Sequence, residues 1–191
     1  MTVIAGYVDR ESGRVHLAAD SAAVAGDGLT LRKTKIHHLR VGVDDEAVIG
    51  CAGFAALGHL LQAHLKLDAA PLDESDAATW AQATAEAITE IALDHHLIDR
   101  DDDGRADLAC LLAWHGQFWA VSHDLAVPVE QYHAVGHGAA VAMGAMWALA
   151  SGRAVVDVAA AEIPRFAVEA AIEHMDGIGG PVTTASTGGE R

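Results

Sequence analysis

Apolar positions cluster in short runs from the start of the chain. Residues 3–7 and 15–19 flank the polar stretch 9–14 with its single glycine, a pattern that predicts a β-hairpin. The first strand is thus expected almost at the chain start, with no leader before it. After a loop holding Gly26 and Gly28, residues 33–39 and 47–51 read as two further strands, joined by the polar turn 42–46. Leu57, Leu60, Leu61, His64 and Leu65 then recur at helical spacing. Beyond Pro71, Ser75 or Asp76 is placed to cap a second helix, with Trp80, Ala83, Ala87, Ile88, Ile91 and Leu97 or Ile98 as its stripe. An acidic loop follows at 99–107. Residues 108–114, 118–122 and 129–135 predict three strands, 138–150 and 155–174 two helices (Pro164 interrupting the second), and 181–187 a last strand.

Strands in runs, separated by pairs of helices, predict layers instead of alternating βα units. The expected class is α+β, with two sheets face to face and a helix pair on each outer side. No internal repeat or linker breaks the pattern, so residues 1–191 are read as one domain.

Composition narrows the function classes. Twelve Lys and Arg against 27 Asp and Glu give a formal charge of -15. Such a chain has little with which to neutralise phosphates, which argues against nucleic acid and against anionic membrane surfaces. No apolar run approaches the roughly 18 residues of a membrane span. Cys51 and Cys110 are too few for a disulfide framework and sit in apolar runs, as buried reduced thiols would. A reducing cytoplasm is the expected compartment.

The chemistry that stands out begins at Thr2. A small second residue permits removal of Met1, which would leave a threonine with both a hydroxyl and a free α-amine. That amine has a reference pKa of about 7.7–8.0, suited to a general base at neutral pH, so one residue can hold nucleophile and base. Asp20 closes the second predicted strand, and Lys35 lies in the third. A lysine beside the amine would disfavour its protonation, and a carboxylate would keep that lysine charged. Gly53, between a strand and a helix, is placed to turn an N–H toward developing negative charge. Taken singly, each is equally a start residue, a surface charge or a turn.

Other motifs fall away. Asp99-Arg100-Asp101-Asp102-Asp103-Gly104 begins like an EF-hand loop, but its twelfth position is Cys110, where glutamate is needed. The histidine pairs His37-His38 and His95-His96 diverge from one backbone, and no HExxH pattern occurs, so neither metal nor cofactor is expected. Ser12, Ser21 and Ser122 lack a nucleophile elbow, and no phosphate-binding loop indicates an intrinsic ATPase.

Taken in order, Thr2-Val3-Ile4-Ala5-Gly6, Leu17-Ala18-Ala19-Asp20, Lys33-Thr34-Lys35-Ile36-His37-His38-Leu39 and Ile49-Gly50-Cys51-Ala52-Gly53 resemble the proteasome β subunits and HslV. Ala134-Val135-Gly136-His137-Gly138 resembles the small-residue loop before that family's third helix, and Met175-Asp176-Gly177-Ile178-Gly179-Gly180 the loop after its fourth. The resemblance implies a four-layer αββα sandwich of the N-terminal-nucleophile (Ntn) hydrolases. It implies Thr2 as nucleophile, Lys35 as catalytic lysine, Asp20 as its partner, Gly53 as oxyanion donor and Asp176 as a supporting aspartate. Lys33 competes for the lysine role, since both lysines would share one strand face. His137 and Gly179 stand where the family carries serines. The absence of a propeptide looks more like HslV than like a typical proteasome subunit. The resemblance further implies a homo-oligomeric ring acting on protein or peptide, and an ATP-dependent unfoldase as partner. Two alternatives stay open: an Ntn amidase acting on a small amide, and a ring-forming scaffold with a degenerate site. Ala22, Val24, Leu31 and Phe54 are the expected pocket residues, which points to apolar substrate side chains.

Overall fold

The computed structural model describes residues 1–24, 30–67, 71, 74–98, 108–152 and 158–188. The N-terminal hairpin forms as its pattern dictates. Strand β1 (Ile4–Asp9) pairs antiparallel with β2 (Arg14–Ala19), Ile4 opposite Ala19 and Asp9 opposite Arg14. Its turn is held by the Asp9 carboxylate, which accepts the backbone N–H of Glu11 and the hydroxyl of Ser12, while Gly13 takes the left-handed conformation at φ 64°. The edges are completed by β10 (Tyr132–Val135) beside β1 and β11 (Thr183–Ser186) beside β2.

A second sheet runs in order through β5 (Ile36–Val41), β6 (Asp45–Ala52), β7 (Ala109–Trp114), β8 (Gln117–Ser122) and β9 (Leu125–Pro128), every pair antiparallel. Between β2 and β5 the chain makes a small separate hairpin, β3 (Ala22–Val24) with β4 (Thr30–Arg32). The helices are α1 (Leu57–His64), α2 (Glu74–Asp94), α3 (Ala139–Ala150) and α4 (Ile163–His174).

Alternation along the strands explains how these parts pack, because neighbouring side chains leave opposite faces. Ile4 and Leu17 join Val48, Leu111 and Phe118 in a core shared by the two large sheets. Their neighbours Ala5 and Ala18 face α3 and α4, against Ala142, Met146, Ala167 and Val168. On the second sheet Ile49 and Leu112 turn the other way, against Leu57 and Leu61 of α1 and the alanine ridge Ala77, Ala81 and Ala85 of α2. Strands buried on both faces need continuous apolar runs, which is what residues 47–52 and 109–113 supply.

Several boundaries differ from expectation. The run 129–135 is not one strand. Its end forms β10 in the first sheet, while β9 lies upstream in the second and ends on Pro128, tolerable because β9 is an edge. The β3–β4 hairpin interrupts what reads as loop. Helix α2 is described from Glu74, which puts Ser75 and Asp76 inside it. Of the expected stripe Ile88 is buried and Trp80, Ile91, Leu97 and Ile98 pack against the same core, while Ala83 is exposed and Ala77, Ala81, Ala85 and Ala92 complete the buried ridge. Pro164 does not interrupt a helix: it stands in the first turn of α4, where its missing N–H is harmless. The acidic loop 99–107 falls outside the described residues.

Gly6 marks the tightest approach within the shared core. A Cβ there would overlap the Phe118 ring and lie 2.7 Å from Leu17 Cδ2. Gly6→Ala is therefore expected to lower stability by about 1–3 kcal/mol, read as a shift of the urea midpoint at unchanged slope.

Candidate active site

The site is assembled where β1, β2 and the segment before β5 converge. Asp20, fully buried, follows β2 directly. Its Oδ1 accepts the Val3 N–H at 2.9 Å and the Lys35 ammonium at 2.7 Å. Its Oδ2 accepts the N–H groups of Ala22 at 3.2 Å and Gly179 at 3.3 Å. Lys35 Nζ also donates to Thr2 Oγ1 at 3.0 Å and to the Met1 carbonyl at 3.3 Å. Burial pushes the Lys35 ammonium below the ordinary lysine value of 10.5, and the Asp20 carboxylate works against that shift.

Two loops fix Thr2 from behind. The Thr2 carbonyl accepts the Gly138 N–H at 3.1 Å. Gly136 holds φ at 91°, and a side chain on it would meet that same carbonyl at 2.5 Å. From the other side, the Gly179 carbonyl accepts the N–H groups of Ser21 and Ala22 at 3.0 and 3.1 Å.

Thr2 faces two cavities. A pocket of about 100 Å³ includes Thr2, Lys35, Ala22, Lys33, Phe54 and Gly53 in its walls. An open groove of about 640 Å³ is lined by Thr2, Gly53, His123, Gly136 and His137. Met1 and Gly53 border both.

No family model matches this sequence, and no curated protein matches it. Solved structures do. BPH of Thiobacillus denitrificans is 25% identical over 98% of both chains, with a TM-score of 0.72. A BPH structure in complex with epoxomicin is similar over all of both chains, at 22% identity and a TM-score of 0.75. HslV from Trypanosoma brucei matches 98% of this chain and 99% of its own at 21% identity, TM-score 0.64. This chain has the proteasome β/HslV-type Ntn-hydrolase fold. Anbu from Pseudomonas aeruginosa, described as a helical assembly, shares it at 14% identity over 98% of this chain and 81% of that one, with a TM-score of 0.67.

Within this Ntn-hydrolase fold the two lysines separate. Both precede β5, outside regular strand, and different partners anchor them. The Lys35 carbonyl accepts the Cys51 N–H at 2.9 Å, and the ammonium reaches Thr2. The Lys33 N–H is tied to the Ser21 carbonyl at 2.8 Å, and its ammonium reaches across to the Ala55 carbonyl at 2.9 Å. Gly53 lies at the Thr2 cavities with φ 96°. His137 is exposed on the groove. Gly179 serves the site through its backbone. Asp176 is exposed and makes no hydrogen bond to Thr2, Asp20 or Lys35 among the described residues. Of the expected pocket residues, Ala22 and Phe54 line the pocket, Leu31 does not, and the Val24 side chain lies outside the described set. Sequence reading missed His37 in the pocket wall and His123 on the groove; no local pattern marks either. Among the described residues, no cluster of His, Cys, Asp or Glu could hold a metal ion, and no helix is long and apolar enough to cross a membrane.

Asp20→Asn removes the charge that offsets a buried ammonium. The expected loss is about 3–5 kcal/mol of stability, measurable by chemical denaturation.

Proposed function

We propose that this chain is a threonine-type peptidase subunit in which Thr2, exposed by removal of Met1, is the N-terminal nucleophile. The observation that carries the reading is the 3.0 Å contact between the Lys35 ammonium and Thr2 Oγ1, backed by a carboxylate with four donors on it. Met1 is about half exposed, at 53%, so a trimming aminopeptidase can reach it.

Each residue then has a role. The freed Thr2 amine takes the hydroxyl proton as Oγ1 bonds to the substrate carbonyl carbon. The Lys35 ammonium stabilises charge on Oγ1 and, as a like charge nearby, keeps the amine unprotonated. Gly53 supplies an N–H to the oxyanion. The amine returns its proton to the leaving nitrogen as the C–N bond breaks. Water then attacks the ester, again delivering its proton to the amine, and frees Thr2. His137 stands on the groove as the polar group in place of serine; Asp176 keeps a supporting role only on the family resemblance, through the loop that carries Gly179. No cofactor takes part.

We further infer the αββα layering in a single domain, and assembly of copies into a ring that encloses the sites. An ATP-dependent unfoldase feeding protein substrates is the partner this reading implies. A pocket on one side of Thr2 and an open groove on the other leave room for segments before and after the bond that is cut, which favours peptides over a small amide.

Thr2→Ala is expected to abolish peptide turnover while leaving the particle seen by electron microscopy unchanged. Intact mass should show Met1 lost, and epoxomicin should add its mass to the N-terminal peptide. Retained Met1 and full activity in the variant would refute the mechanism. Lys35→Ala should cut kcat about a hundredfold or more. Because Lys35 acts while protonated and its pKa lies below 10.5, wild-type activity should fall with rising pH before that value is reached.

A further inference from the structure

The pocket beside Thr2 is chemically lopsided. Three side chains that line it, those of Lys33, Lys35 and His37, are capable of positive charge, and among the described residues no carboxylate lines it. Asp20 lies behind Lys35, fully buried and already accepting from four donors. Lys35 is paired with that carboxylate, and its other protons are directed at Thr2 Oγ1 and the Met1 carbonyl. The His37 ring is buried, shares a hydrogen bond with the Gln62 side chain at 3.1 Å and packs edge-on against His59. Burial pulls its pKa below 6.5, which keeps it neutral at pH 7. Lys33 is different. It is partly exposed, and one of its ammonium protons is given to the Ala55 carbonyl. An ammonium has three donors, so among the described residues two remain. That single tether holds the charge across the pocket between the segment before β5 and the turn before α1.

We propose that Lys33 makes this pocket a receptor for a carboxylate, so that the preferred substrate carries glutamate or aspartate immediately before the bond that is cut. The inference rests on the peptidase reading of Thr2 and names its substrate class. The residue whose carbonyl is attacked has its side chain beside the nucleophile, and the walled pocket is the cavity that can grip it; the groove, wider and more open, receives the departing segment. This replaces the apolar preference expected from sequence, because Leu31 is absent from the lining and Lys33 is present. The net charge of -15 opposes acidic peptides at long range. At about 0.15 M salt the screening length is about 8 Å, so contact with Lys33 decides.

The test uses full-length protein with Met1 removed, verified by mass, at that ionic strength. Matched fluorogenic peptides carry Glu, Gln, Leu or Arg before the scissile bond. Glu should exceed Gln in kcat/KM by at least tenfold, a comparison that isolates charge from size. Lys33→Met should collapse the Glu to Gln ratio toward one, and Lys33→Glu should reverse the order of Glu and Arg. Turnover with no discrimination between Glu and Gln, with an acidic preference only after the bond, or with a ratio unmoved in both variants overturns the pocket assignment and leaves the peptidase reading standing. No turnover of any peptide, together with no epoxomicin adduct, sinks both.

Discussion

A lysine and an aspartate are paired while almost wholly buried, and the arrangement around Thr2 follows from keeping them satisfied. Removing two such ions from water costs several kcal/mol for each, and their mutual attraction offsets that only when the remaining hydrogen-bonding capacity is also met. Asp20 meets it by drawing donors from four separate segments: the start of β1, the entry to β3, the loop after α4 and the segment before β5. Each donor is a positional constraint. The carboxylate therefore acts as a knot, and the lysine's remaining protons reach Thr2 and the carbonyl before it.

Backbone shape does the complementary work. The loop of residues 136–138 presses on the Thr2 carbonyl through glycines, one of which holds a conformation strained for other residues. Gly138 is similarly confined, since a side chain would meet Val3 and Ile178 below 3 Å. The first residues of β1 are thus fixed on one side by the knot and on the other by close backbone approach. A nucleophile held this way loses little freedom on meeting its target, which is what orientation requires.

Much of this was legible in the chain. The hairpin, the second sheet up to β8 and the helices announced themselves through periodicity, because strands packed on both faces must be apolar throughout. Thr2, Asp20, Lys35 and Gly53 stood in a recognisable order. The resemblance put Lys35 ahead of Lys33, but spacing could not separate them, because their separation depends on Ser21 and Cys51, distant partners that a local pattern does not reveal. Residues 129–135 misled for a related reason: a continuous run gives no sign that the chain leaves one sheet for the other. Part of the α2 ridge was hidden because alanine reads as neutral: Ile88 was legible, but Ala77, Ala81 and Ala85, which let the helix lie close to the sheet, were not. His123 reaches the groove from the turn between β8 and β9, a meeting across more than a hundred residues that only the fold brings about.

Met1 borders both cavities at Thr2, and a side chain on Gly177 would meet its terminal methyl at 2.5 Å. It shares that place with Thr2 and Gly53, which also border both. Clipping it would convert an amide into a base and take one side chain out of the walls of both cavities. A single cut would thus change the chemistry at Thr2 and the room around it together.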